Sequence, residues 1–248
     1  MTKITMIGAG NLASHLSIAL KCAGHEIVQV YSRTEKSADL LASQLNCPYT
    51  IDKNSIAQSD IALIAVKDDA IEEVEKYIDF PKAHTSGTKD LECLTTNTSG
   101  VFYPLQTFTK SSEIEFKNIP ICIESNDPLL NKLLIDLGNS ISDKVYAINS
   151  QQRRQLHIAA VIACNFSNHM YRFSEEICTT YSIPFEILHP LILETANKIQ
   201  SISPSKAQTG PAQRGDDLTI QKHISLLENN SDLQEIYKTL SDSIKKYS

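Results

Sequence analysis

The sequence predicts an α/β fold in which a doubly wound, mostly parallel sheet precedes an all-α C-terminal domain. Near the start, the strand-like residues 4–7 lead through a glycine-containing turn into a segment with helical periodicity. Strand-like and helix-like segments then alternate along more than half of the chain, which is typical of a parallel sheet covered by helices. After Ser150 the strand signals stop. We therefore predict a sheet domain at 1–149 and a helical domain at 150–248.

The turn after the first strand has the residue pattern of a dinucleotide-binding βα unit. Gly8 and Gly10 stand in a GxGxxA pattern that Ala13 completes. The first glycine can make the tight turn, the second lets backbone approach a pyrophosphate at the helix N-terminus, and the alanine lets the helix pack on the strand. We predict that Gly8, Gly10, Asn11, Leu12 and Ala13 bind the cofactor. The alternative is an ordinary βα turn that contains two glycines.

Ser32, Arg33 and Thr34 follow the second predicted strand, at residues 26–31. In NAD-selective units an acidic residue near this place binds the ribose 2′-hydroxyl, and none of these three positions is acidic. Two hydroxyls and a guanidinium suit the 2′-phosphate of NADP instead. The three residues therefore predict NADP rather than NAD. The alternative is that Arg33 is a solvated loop residue and that Thr34 caps the next helix.

The run at 60–66 predicts a strand that is buried on both faces of the sheet. In a doubly wound sheet the ligand lies beyond the carboxyl ends of the strands. We therefore expect Val66 and Lys67, at the end of this run, to flank the dinucleotide. Asp68 or Asp69 would cap the helix that follows.

Ser86 and Tyr103 lie in two later segments, 84–88 and 100–108, which we expect at the same edge of the sheet. Transfer of a hydride to a carbonyl or imine needs a proton donor, together with hydroxyl or amide groups that orient the substrate. Both residues carry a hydroxyl. They are our first candidates for orienting a substrate.

A long helix is predicted at 151–181, and its polar side carries His157 and Asn165 about two turns apart. His157 has the acid-base range of a proton donor, and Asn165 can donate an amide hydrogen bond to a substrate. The alternative for His157 is a capping or interface residue. The alternative for Asn165 is a hydrogen bond between helices.

Arg214 lies between Gly210 and Gly215 in the polar loop 208–217. Helix-ending and helix-capping roles account for several of its neighbours but not for this arginine. We predict that Arg214 clamps a substrate carboxylate, or else pairs with Asp216 beside it.

Charge and composition exclude several classes of function. The 248 residues have a formal net charge of -6, which argues against a surface for nucleic acid or an anionic membrane. No apolar run is long enough to span a membrane, and residues 1–3 lead directly into a strand, so we expect a cytoplasmic protein. The six cysteines are scattered without a CxxC pair, and we predict no metal site.

Several motifs together resemble one family. They are GAGNLA, HTSG, GVFYPLQTF, HIAAVIACNFSNHMY, and AQTGPAQRGD followed by the helix that contains His223. With these motifs the whole chain resembles bacterial Rossmann-like proteins, often labelled NADP oxidoreductases, that carry a C-terminal helical domain of unknown function (DUF2520 type). More distantly it is similar to pyrroline-5-carboxylate reductases, ketopantoate reductases and β-hydroxyacid dehydrogenases. The resemblance implies a helical domain that helps to form dimers.

One position departs from the more distant families. β-Hydroxyacid dehydrogenases and ketopantoate reductases carry a catalytic Lys four residues before an Asn on the long helix. If Asn165 matches that Asn, the Lys position is Val161. Reduction of a ketone by that mechanism is therefore in doubt. An imine can arrive already protonated and would need less from the protein.

These observations predict an NADP-dependent oxidoreductase that transfers a hydride to or from a small carbonyl, imine or hydroxy acid. We expect a homodimer, in which exposed apolar residues of the helical domain, among them Ile187, Leu191 and Leu226, form the contact. The missing Lys favours one alternative from another class. It is a non-catalytic dinucleotide sensor or partner-binding protein that kept the pocket without the chemistry.

Overall fold

The computed structural model describes residues 1–109 and 114–247, and its centre is one eight-stranded sheet. The strands are β1 (Lys3–Ile7), β2 (Glu26–Tyr31), β3 (Tyr49–Thr50), β4 (Ile61–Ile64), β5 (Lys82–His84), β6 (Ser99–Pro104), β7 (Ile121–Ser125) and β8 (Val145–Ala147). Their order across the sheet is β3-β2-β1-β4-β5-β6-β7-β8. Neighbours are parallel throughout, except that β7 runs antiparallel to β6. The predicted α/β class and the mostly parallel sheet are confirmed.

Four helices lie between the strands, and after β8 the described residues up to 247 form helices and no further strand, as predicted. The helices are α1 (Asn11–Cys22), α2 (Glu35–Leu45), α3 (Asp68–Val74), α4 (Pro128–Ile141), α5 (Ser150–Ala160), α6 (Ser167–Thr180), α7 (His189–Lys198), α8 (Pro204–Ala207), α9 (Asp217–Leu226) and α10 (Ser231–Tyr247). A further 3₁₀ turn at Phe185–Leu188 precedes α7.

Strand β4 shows why the centre of the sheet is apolar on both sides. Ile61 and Leu63 belong to one buried cluster, whereas Ala62 and Ile64 belong to a second one. Successive side chains of a strand point to opposite faces, so each face of β4 is covered. The strand order reverses between β1 and β4, and in such sheets the crevice for a ligand opens at that point.

The chain forms two compact units, Met1–Ala163 and Cys164–Ser248. The division lies inside the long helix, later than the boundary near Asn149 that we predicted. The physical reason is that the first turns of α5 are hydrogen-bonded to the sheet, since the Ser150 backbone donates to Glu124 Oε1 over 2.9 Å. The predicted limits of the functional domains stay a prediction.

The long helix is not uniform. Between α5 and α6 the residues Val161–Phe166 form a π-helix, where the sequence predicted one regular helix. The 3.6-residue spacing of apolar residues cannot reveal such a segment, because it assumes one constant twist. Two apolar residues of the π-helix, Ile162 and Phe166, are each 57% exposed. These apolar side chains are available for contact with a partner.

In the part of the chain that the structure describes, no helix is both long and apolar enough to cross a membrane.

Candidate active site

Gly8 makes the turn between β1 and α1, and only glycine fits there. Its φ of 116° lies in the region that side chains avoid. A Cβ at this position would collide with the carbonyl oxygen of Ala65, just beyond β4. The Gly8 amide also donates to the Tyr31 carbonyl over 2.7 Å, which ties the turn to β2. The turn therefore sits at the carboxyl ends of the three strands β1, β2 and β4.

Gly10 leaves an open place at the start of α1. Among the described residues nothing lies within 4 Å of where its Cβ would be. No described side chain caps α1, and its first turn contains no acidic residue. The N–H groups of this first turn are thus left for another acceptor, and an anion such as a pyrophosphate satisfies them well. The open space leaves room for the close approach that we predicted at Gly10, and its contact with a cofactor stays a prediction.

The next three predicted residues have distinct surroundings. The Asn11 amide donates to the Phe108 carbonyl over 2.9 Å, which links α1 to the segment after β6. Leu12 is half-buried against the core, and Ala13 is fully buried within it. The packing role predicted for Ala13 agrees with this burial. Direct contact of Asn11 or Leu12 with a cofactor stays a prediction.

A cavity of 350 Å³ opens beside the Gly8 turn and contains most of the predicted cofactor residues. It is lined by Gly8, Ala9, Gly10, Tyr31, Ser32, Arg33, Ser37, Lys53, Ala65, Val66, Lys67, Ala70, Glu73 and Val74. Four predicted cofactor residues are not among these lining residues: Asn11, Leu12, Ala13 and Thr34, of which Thr34 is exposed. Thr34 precedes α2 without a side-chain cap to that helix among the described residues, so the capping role considered for it is not seen.

Tyr103 and His157 form a hydrogen-bonded pair. The Tyr103 hydroxyl lies 3.0 Å from His157 Nδ1, although the two residues are 54 positions apart in the chain. Gly87 makes the pair possible, because a Cβ at this glycine would lie 2.6 Å from His157 Nδ1 and 2.9 Å from the Tyr103 hydroxyl. Burial raises the pKa of Tyr103 to about 12. The phenol therefore keeps its proton at neutral pH, so it offers the imidazole both a donor and an acceptor.

Ser86 precedes Gly87 in a tight, buried turn after β5. Its hydroxyl accepts hydrogen bonds from the Thr88 amide over 3.1 Å and from the Lys89 amide over 3.0 Å. The Thr88 hydroxyl in turn donates to Asp68 at the start of α3. We predicted that Asp68 or Asp69 would cap α3, but the N-cap position is Lys67 and no side-chain capping hydrogen bond is seen there among the described residues. Asp68 is used in the contact with Thr88 instead. The Ser86 oxygen thus shapes the turn on which the Tyr103–His157 pair packs.

Arg153 anchors the helix that carries His157. It is fully buried, and its guanidinium donates to the Glu124 carboxylate on β7 and to the Lys89 carbonyl. The Ser150 hydroxyl donates to the same carboxylate, at Glu124 Oε2, over 2.7 Å. Arg153 and His157 are four residues apart and share one face of α5. The anchor therefore holds His157 against Tyr103.

His84 is buried at the end of β5 and supports the same turn. Its Nδ1 accepts a hydrogen bond from the Ser86 amide over 3.1 Å. Its Nε2 and Arg153 Nε are buried without a hydrogen-bond partner in the described part of the chain. Burial, assisted by the positive charge of Arg153, lowers the pKa of His84 from 6.5 to about 4. His84 is therefore neutral at physiological pH.

We expect this histidine to make the protein acid-sensitive. Its pKa is lower in the folded than in the unfolded chain, so the unfolded chain binds the extra proton first as pH falls below 6.5. Neutral His84 therefore contributes about 3 kcal/mol to the free energy of unfolding. This stabilisation is fully present above pH 6.5 and is lost as the pH falls to about 4. In urea unfolding at pH 7 and pH 4.5, His84→Asn should lose much less stability than the wild type. Asparagine keeps an acceptor for the Ser86 amide, and equal losses in the two proteins would contradict the assignment.

Asn165 and Arg214, the two other predicted catalytic residues, belong to the second compact unit. Both are exposed. Asn165 lies in the π-helix, so the regular spacing that placed it on the side of His157 does not hold there. Arg214 follows the 108° φ of Gly210 and precedes the 67° φ of Gly215. Substrate roles for Asn165 and Arg214 stay predictions.

Four residues of this region were missed by the sequence analysis: Lys53, His84, Gly87 and Arg153. The HTSG motif contains His84 and Gly87 and was noticed, but only Ser86 was named from it. Nothing in the local pattern of Lys53 or Arg153 indicates a site, because their partners Glu73 and Glu124 are distant in sequence. A glycine beside a polar turn was the one signal that could have indicated a close packing contact.

The glycine turn, the cavity and the Tyr103–His157 pair all lie at the carboxyl edge of one doubly wound sheet. This arrangement defines the class of Rossmann-type dinucleotide-binding proteins. A family model described as "NADP oxidoreductase coenzyme F420-dependent" matches residues 3–85, and one described as "Domain of unknown function (DUF2520)" matches residues 119–244. The chain belongs to the family of Rossmann-fold NADP oxidoreductases that carry the DUF2520 domain.

Solved structures agree with this membership. A putative NADP oxidoreductase from Bacteroides fragilis is 40% identical, with a TM-score of 0.93, over 99% of this chain and 98% of that one. Two more distant structures share the fold. Pyrroline-5-carboxylate reductase from Streptococcus pyogenes is 18% identical with a TM-score of 0.66, over 99% of this chain and 98% of that one. Imine reductase from Myxococcus stipitatus, in complex with NADP+, is 14% identical with a TM-score of 0.67. The match covers 98% of this chain and 92% of that one. No protein with a curated description matches the chain.

Proposed function

We propose that the protein is an NADP(H)-dependent oxidoreductase that transfers a hydride to or from a small carbonyl, imine or hydroxy-acid substrate. The observation that carries this proposal is the Tyr103–His157 pair, which packs on Gly87 at the sheet edge that also bears the Gly8 turn. An acid-base group at the sheet edge that carries a dinucleotide turn suits hydride transfer to a C=O or C=N bond. Family membership in the NADP oxidoreductases supports the same conclusion.

The cofactor residues fit the group they would hold. The backbone at Gly8 and Gly10 and the first turn of α1 would bind the pyrophosphate, and Ser32 and Arg33 would contact the 2′-phosphate. Val66 and Lys67 would flank the dinucleotide, and we keep Asn11, Leu12, Ala13 and Thr34 as further members of this set. NADP(H), when bound, supplies or accepts the hydride.

His157 is the proton donor in this proposal. In its protonated form the imidazole donates from Nδ1 to the Tyr103 oxygen and carries a second proton on Nε2. Transfer of the Nε2 proton to the substrate leaves the neutral ring, with its Nδ1–H still bonded to Tyr103. His157 is only half-buried, so this edge can reach a substrate oxygen or nitrogen. Tyr103 orients the ring and fixes its tautomer after the transfer, Ser86 shapes the turn, and Asn165 and Arg214 would orient the substrate. Val161 in place of a lysine favours an imine over a ketone, since a protonated imine needs less acid assistance.

The test is a screen of small keto acids, cyclic imines and hydroxy acids for a change in NADPH or NADP+ absorbance. Turnover of one class, together with binding of NADPH by calorimetry, is the expected result. Binding without turnover across the whole panel, unaffected by His157→Ala or Asn165→Ala, would instead favour the dinucleotide sensor.

We also propose that the protein is a cytoplasmic homodimer. Ile187, Leu191 and Leu226 are 66%, 63% and 70% exposed, and pairing of two copies would remove this apolar surface from water. Light scattering should give twice the 27.5 kDa chain mass. Leu191→Asp should shift the protein toward the monomer, whereas Leu40→Asp, at a leucine on α2 that is 57% exposed, should not. A wild-type mass of one chain would refute the dimer.

A further inference from the structure

Lys53 brings an additional cation into the cofactor cavity. It lies in the 3₁₀ turn Lys53–Ser55 that follows β3, and it lines the cavity together with Ser32, Arg33 and Ser37. Its side chain is 28% exposed, and its ammonium nitrogen lies 5.3 Å from the centre of the Tyr77 ring. The aromatic ring supports a positive charge at this place. The lysine is therefore held at the cavity rather than extended freely into water.

The present partner of Lys53 is Glu73 on α3. The lysine ammonium donates to the Glu73 carboxylate, which also lines the cavity. This hydrogen bond and the charges of Lys53 and Arg33 keep the pKa of Glu73 below its usual range. The two partners differ in burial, because the Glu73 side chain is 60% exposed. An exposed carboxylate can turn into water at little cost, so this ion pair is easily exchanged for another.

The charges of the lining residues favour an incoming anion. Arg33, Lys53 and Lys67 face a single carboxylate, that of Glu73, among the described residues that line the cavity. A phosphate monoester carries a charge of about -1.5 to -2 at pH 7, and it offers three acceptor oxygens. A lysine ammonium has three donors, and Glu73 engages one of them. A 2′-phosphate would thus find both charge and donors here, whereas a 2′-hydroxyl would leave the Lys53–Glu73 pair as it is.

We propose that Lys53 is a specificity-determining residue that exchanges Glu73 for the 2′-phosphate of NADP and binds it together with Arg33. This inference rests on the proposed function, since it needs NADP(H) in the cavity. Lys53, which follows β3, would thus join the predicted 2′-phosphate residues that follow β2, Ser32, Arg33 and Thr34. Glu73 also has a role, which is to hold the lysine at the cavity when no phosphate is present.

The test is calorimetric binding of NADPH and NADH to the full chain and to single variants. Lys53→Gln should weaken NADPH binding about tenfold or more and change NADH binding less than about twofold. Arg33→Ala should act in the same direction. Glu73→Gln removes the competing carboxylate, so it should leave NADPH binding as strong as in the wild type or stronger. Lys132→Gln is the matched control, because it breaks the exposed Lys132–Asp136 ion pair of α4, which does not line the cavity.

The outcomes separate this inference from the proposed function. If the wild type prefers NADPH and Lys53→Gln leaves that preference unchanged, the inference is overturned and the proposed function stands. A loss of NADPH affinity in Glu73→Gln as large as that in Lys53→Gln would show a structural ion pair, which also overturns it. If the wild type binds neither nucleotide, the proposed function fails and the inference fails with it.

Discussion

His157→Gln is expected to lower kcat by about 100-fold to 10,000-fold on the substrate that the screen identifies. Glutamine has a size similar to that of histidine and can form hydrogen bonds, but it cannot give up a proton at neutral pH. The cofactor could still transfer the hydride, but the substrate oxygen or nitrogen would lose its proton source. The change does not touch the Gly8 turn, so the Kd for NADPH should change less than about twofold.

Two further variants make this result specific. Tyr103→Phe keeps the ring and removes the hydroxyl that contacts His157 Nδ1, so it should cause a smaller loss and alter the pH profile of kcat. His169→Gln is the control, since this histidine packs against Phe173 on α6, in the other compact unit. Full activity in His157→Gln would remove His157 from the role of proton donor.

Arg153→Met is expected to lower the free energy of unfolding by about 3–5 kcal/mol. Methionine has nearly the length of the arginine but no charge, so the largely buried Glu124 carboxylate would lose its guanidinium partner. The Lys89 carbonyl would lose a donor at the same time. Because Arg153 holds the first turns of α5 on the sheet, we also expect a lower kcat through displacement of His157. Urea unfolding and steady-state kinetics measure the two effects.

The adjacent Arg154 is a matched control for Arg153. It pairs with Asp90, but the two side chains are 41% and 46% exposed. Exposed pairs contribute between 0 and about 1 kcal/mol, so Arg154→Met should be nearly neutral. Equal losses in the two variants would show that burial of the Arg153–Glu124 pair is not what anchors the helix.

Residue types that satisfy a backbone requirement could be predicted from the sequence. Gly8 and Gly10 were found because a tight turn and a close approach favour glycine wherever they occur. The continuous apolar run of β4 indicated a strand buried on both faces, which is what the structure shows. These features depend on neighbours in the chain. The α/β fold class was predicted from the alternation of strand-like and helix-like segments.

Features that depend on distant partners could not be predicted in this way. His157 was chosen for its acid-base chemistry, but its contact with Tyr103 joins residues 54 positions apart. Lys53 and Arg153 looked like ordinary surface charges until the fold brought Glu73 and Glu124 beside them. The π-helix at Val161–Phe166 was not predicted for another reason, since apolar periodicity assumes one helical twist.

A structure of the protein with NADP+ bound would show where the dinucleotide lies on the sheet. We predict that the pyrophosphate lies on the backbone of Gly10 and the first turn of α1, and that the nicotinamide ring lies beside Gly87 and the Tyr103–His157 pair. A ring that points into solvent away from Gly87, or a dinucleotide bound anywhere other than the Gly8 turn, would contradict the account.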